Sequence, residues 1–110
     1  MSTPELLSHY VDGQWVGGDP SFESLNPSDT RDVVARVPSD KGSVMNAAVA
    51  AAKAAYPAWA GASPEVRSDV LDRVGTTILA RKGELGRLLS REAGKTRAQG
   101  IREDTRAGRI

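Results

Sequence analysis

Cysteine is absent from the 110 residues. This excludes a disulfide framework, a thiolate metal site and a cysteine nucleophile within the chain. Histidine occurs once, at His9, so a metal site built on several imidazoles is excluded too. Aromatic residues are few: Tyr10, Trp15, Phe22, Tyr56 and Trp59. Val, Leu, Ile and Phe together number 22, while 15 of the apolar residues are alanine. That composition sits at the edge of what a packed core requires, and a chain this short buries only about 60–70% of its unfolded surface even when well packed. No run approaches the ~18 apolar residues of a membrane span. The opening MSTPELLSHYVDGQW shows neither a basic segment nor an apolar segment of the secretory type. The expectation is a cytoplasmic chain with no membrane partner.

Charge is nearly balanced, 15 Lys+Arg against 14 Asp+Glu, but unevenly placed. Residues 1–64 carry 4 basic and 7 acidic side chains, and residues 65–110 carry 11 and 7. The second half is basic enough to raise nucleic-acid binding as a question.

The first third reads as short strands. His9–Val11 and Gln14–Val16 flank Asp12-Gly13, a dipeptide that tolerates the positive φ angles of a two-residue hairpin turn. Gly17-Gly18-Asp19-Pro20 interrupts the pattern. Ser21–Leu25 forms a second run, ending at the turn cluster Asn26-Pro27-Ser28-Asp29-Thr30. Val33–Val37 is a further strand, closed by Pro38. Residues 1–8 are expected to be a flexible N-terminus.

From Ser39 the period becomes helical. Ser39 is the expected N-cap, and Val44, Ala48, Ala51, Ala52 and Ala55 follow a 3.6-residue repeat that should stop before Pro57, leaving Trp59 to fold back. Ser63-Pro64 combines a cap with a first-turn proline. The following stripe, Val66, Val70, Leu71, Val74, Ile78 and Leu79, predicts a buried helix face. After Lys82-Gly83, Leu85, Leu88 and Leu89 form a third helix ending at Ala93-Gly94. A fourth begins near Thr96 and reads as still running at Ile110, without a stop residue. The fold class expected is α/β: an N-terminal β-hairpin and short strands, followed by three to four helices.

The candidate chemistry is sparse. Gly94-Lys95-Thr96 matches the end of a phosphate-binding loop, but the glycine that loop requires five residues earlier is Leu89. A helix stop followed by a helix start explains these residues better. His9 has no nucleophile and orienting acid beside it in the pattern and reads as a strand-edge residue. Arg102, Arg106 and Arg109 share a helical face at i, i+4 and i+7, yet Glu92, Glu103 and Asp104 are interleaved and stacking aromatics are missing. A solvated face is the reading, with no nucleic-acid partner. Asp69 and Asp72 lie on the polar side of the second helix, and nothing in the pattern supplies the cleft that acid–base work needs. No catalytic, cofactor-binding or metal-binding residue is assigned.

The order of these features carries a resemblance. His9-Tyr10-Val11-Asp12-Gly13-Gln14-Trp15-Val16, Leu25-Asn26-Pro27-Ser28-Asp29-Thr30 and Val33-Val34-Ala35-Arg36-Val37-Pro38 resemble the opening hairpin and strand pair of the aldehyde dehydrogenase superfamily. Ala47–Trp59, Pro64–Leu79 and Leu88-Leu89-Ser90-Arg91-Glu92-Ala93-Gly94-Lys95-Thr96 are similar to its next three segments. Arg91–Thr96 with Gly100-Ile101 and Arg106-Ala107-Gly108 is most similar to the members acting on 2-oxoglutarate semialdehyde. The likeness covers residues 9–110 and implies that they are the N-terminal part of a truncated aldehyde dehydrogenase domain. It further implies that the nicotinamide-binding fold, the general-base glutamate and the nucleophilic cysteine come later in the family. NAD or NADP then belongs to the full-length enzyme, and none is expected to bind this chain. Some members hold a monovalent cation beside the Asn-Pro turn. Leu25 and Glu103 would be the analogues, the third ligand is missing, and no metal site is assigned. Arg102 and Asp104 depart from the small or apolar residues usual at their positions.

Two readings compete. One is an inactive N-terminal fragment, whose partner is the remainder of the fold or a second copy meeting the Val66–Leu79 stripe. The other is a small independent helical interaction or nucleic-acid-binding module. Such a module is expected to end in a capped helix, whereas Ala107-Gly108-Arg109-Ile110 reads as unfinished, so the fragment is the expectation.

Overall fold

The computed structural model describes residues 4–109. Four strands precede four helices: β1 His9–Val11, β2 Gln14–Val16, β3 Pro20–Asn26, β4 Asp29–Pro38, α1 Ser43–Ala60, α2 Pro64–Ala80, α3 Lys82–Ala93 and α4 Arg97–Ala107. The expected α/β order is therefore the observed one. Residues 4–24 with 33–62 form one compact body, and residues 25–32 with 63–109 form a second.

In the first body, β1 and β2 pair antiparallel, with Tyr10 opposite Trp15. Asp12 and Gly13 take φ of 51° and 73°, the left-handed pair that a two-residue turn between right-twisted strands demands. Tyr10 and Trp15 pack with ring centroids 4.7 Å apart. No strand pairing is expected before His9, yet Leu6 forms a parallel bridge with Arg36. Leu7 N–H donates to Arg36 O and Arg36 N–H to Glu5 O. These backbone bonds depend on β4, so no local pattern announces them.

Helix α1 departs from expectation at both ends. It starts at Ser43, capped at Gly42 rather than at Ser39, and the Asp40 carboxylate accepts from Val44 N at 3.1 Å and Met45 N at 2.9 Å. A carboxylate satisfies two otherwise unpaired N–H groups at a positive helix end more strongly than a hydroxyl does. Ser39 N–H instead donates to Asp19 O. At the far end α1 runs through Pro57 to Ala60, so Trp59 is helical and does not fold back. Pro57 falls in the last turn, where its missing N–H removes a single bond, and Gly61 N–H closes the turn on Pro57 O. Helix α1 lies against β1.

In the second body, Ser63 caps α2 by accepting from Val66 N–H, with Pro64 behind it. Arg81 alone separates α2 from α3, so Gly83 is helical and does not break the chain. Gly94 ends α3 in the left-handed region at φ 68°, where a side chain would be strained. Thr96 and Gln99 then form a reciprocal capping box on α4. Helix α4 stops at Ala107, with Gly108 N–H donating to Asp104 O, which corrects the expectation of a helix still running at Ile110. Ile110 itself lies outside the described residues.

The Val66–Leu79 stripe is not a buried face. Among the described residues no hydrophobic side chain is fully buried, and Val66, Leu71 and Val74 are 52, 65 and 51% exposed. The buried positions are Gly86, Ser90 and Gly100. A Cβ on Gly100 would collide with the Gly86 carbonyl oxygen, and one on Gly86 would come within 2.8 Å of Ile101 N. Backbone meets backbone here, and Ser90 Oγ sits 2.8 Å from Gly86 O and 3.1 Å from Thr96 O, its proton shared between them. A hydrophobic stripe marks the side of α2 that could be buried, but α4 is drawn to the helices that offer close approach at glycine.

Gly100→Ala should therefore lower the local stability of α3 and α4 by about 1–3 kcal/mol, since the backbone must shift to admit the methyl group. Gly83→Ala, with open space around it, should be neutral or gain up to about 1 kcal/mol. Hydrogen exchange of the α3 and α4 amides reads both.

Candidate functional site

The most organised polar cluster among the described residues joins the turn between β3 and β4 to the end of α3, within the second body. Asn26 Oδ1 accepts from Ser28 N–H at 2.9 Å, the side-chain-closed turn that Asn-Pro-Ser favours. Across 59 residues of sequence, Arg91 grips Asp32 with two bonds, Nη2 to Oδ1 at 2.6 Å and Nε to Oδ2 at 3.0 Å. Asn26 Nδ2 donates to Asp32 Oδ2 at 3.2 Å, and Ser28 Oγ donates to Gly94 O at 3.3 Å. Both members of the ion pair are half-buried. The Arg91 guanidinium, helped by the Asn26 amide, holds the Asp32 carboxyl at about 2. Bidentate pairing of this kind fixes orientation as well as charge. The cluster positions a turn against a helix end. It offers no free base, nucleophile or electron-poor centre.

A second feature is a groove of about 880 Å³ along α2, with Leu71, Val74, Gly75, Leu79, Gly108 and Arg109 among its lining residues. Its floor is apolar. Arg67, which also lines it, has a buried Nε without a hydrogen-bond partner.

The residues singled out from the sequence are dispersed. His9 lies on β1, its Nε2 buried and without a hydrogen-bond partner. Gly94-Lys95-Thr96 is a helix stop and a helix start, as read. Glu103, the analogue of a cation ligand, is paired with Lys95 at 2.5 Å. Leu25 is 40% exposed, and no group of three His, Asp or Glu side chains that could hold a metal occurs among the described residues. Arg102 and Arg106 are exposed on α4 beside Gln99 and Glu103. Asp69 and Asp72 are exposed on α2. No helix among the described residues is long and apolar enough to cross a membrane. The Asp32–Arg91 pair was missed because nothing local links two side chains so far apart. The one available signal was an arginine just ahead of a glycine helix stop.

The arrangement, a hairpin, a strand pair with an Asn-Pro turn and four helices, has close counterparts. Residues 15–109 match the aldehyde dehydrogenase family, and the chain belongs to it. It is 38% identical over 91 residues to 2-aminomuconic semialdehyde dehydrogenase of Danio rerio, which covers 83% of this chain and 18% of that protein. Lactaldehyde dehydrogenase from Escherichia coli superposes with a TM-score of 0.90 at 27% identity, over 97% of this chain and 23% of the other. An NAD-dependent benzaldehyde dehydrogenase from Corynebacterium glutamicum superposes with a TM-score of 0.83 at 31% identity, over 93 and 23%. The chain thus spans about a fifth of the relatives it matches.

The ion pair carries a pH signature. Asp32 is depressed from 3.8, so its contribution is complete above that value and is lost as pH falls toward about 2. Ser28 and Gly94 amide resonances should move together across this window. In Asp32→Asn the shared transition should vanish, while the neighbouring α4 cap stays formed.

Proposed function

We propose that the chain is the N-terminal layer of a cytoplasmic, NAD(P)-dependent aldehyde dehydrogenase that converts an aldehyde to a carboxylic acid. The observation that carries the reading is the family match running through residues 15–109. Its role is structural. The reaction class proceeds through a thiol adduct of the aldehyde followed by hydride transfer to nicotinamide, and this chain has no cysteine to supply the thiol. The cofactor is NAD or NADP, a reading supported by the NAD-dependent relative. It is not expected to bind this chain alone, because neither the polar cluster nor the apolar groove described above offers it a phosphate cradle or an adenine pocket. For substrate we favour a semialdehyde. The Arg91–Thr96 segment resembles the type acting on 2-oxoglutarate semialdehyde, and the Danio rerio relative is a semialdehyde dehydrogenase.

The competing nucleic-acid reading rests on the basic α4. Its arginines flank Glu103, and Lys95 is already engaged by that carboxylate. The remaining field is small and local, and binding that rests on phosphate contacts alone falls steeply with salt.

Mixed with NAD or NADP and a panel of aldehydes and semialdehydes, the purified chain should give no absorbance at the reduced-nicotinamide wavelength above a no-protein control. Turnover that co-purifies with the chain and survives further chromatography would refute the structural role.

The exposure of the α2 face generates a calorimetric prediction. Leaving several Leu- and Val-sized side chains in water forfeits several kcal/mol at ~25 cal/mol per Å², comparable with the whole stability of a small domain. The isolated chain should show helical circular dichroism but a broad, low-enthalpy melt. A sharp two-state transition from a monomer would show that its core suffices.

A further inference from the structure

No further inference is drawn: the strongest candidate, the exposed apolar face of α2 with the groove that Leu71, Val74 and Leu79 line, carries nothing because nothing in the structure shows what covers it.

Discussion

Scarcity of buried apolar surface governs this molecule. With alanine supplying so much of its apolar content and no hydrophobic side chain fully buried among the described residues, the helices cannot be held by a conventional core. What holds α3 to α4 is the direct approach of two backbones at Gly86 and Gly100, with Ser90 bonded into the gap. Close contact of this kind gains dispersion and hydrogen bonding where side-chain burial is small. It also places strict limits on residue size at those positions.

The same scarcity explains the importance of the polar links. Asp32, Asn26 and Arg91 secure the turn of the long hairpin to the end of α3, and Asp40 begins α1. Such bonds contribute modestly to stability but specify geometry, since each has a narrow range of acceptable distances and angles. A segment with these links keeps its internal arrangement while its outward faces remain apolar. Those faces suit a layer laid against something larger, in keeping with a family whose members are about five times as long.

Several local signals in the sequence are legible on their own. The Asp12-Gly13 turn, the Ser63-Pro64 start of α2 and the Gly94 stop of α3 each depend on a few consecutive residues, and each occurs as read. The sequence points to Ser39 as the cap of α1, whereas the chain turns through the left-handed Gly42 and the Asp40 carboxylate captures the free N–H groups of Val44 and Met45. The end of α4 is not marked in the sequence because Gly108 also fits a continuing pattern, although its N–H closes the helix on Asp104.

By itself the sequence determined the order of elements, the Asp12-Gly13 turn, the Ser63-Pro64 and Gly94 helix ends, the lack of a thiol and the family likeness, because all of these lie in residue identity and short-range spacing. Only the tertiary structure decided which faces are covered. Periodicity shows that Val66, Leu71 and Val74 lie on one side of a helix, but not whether anything lies opposite them. It also cannot pair Asp32 with Arg91 or Gly86 with Gly100, because such contacts are set by how the elements cross. Burial is a property of two surfaces, and a sequence pattern describes one.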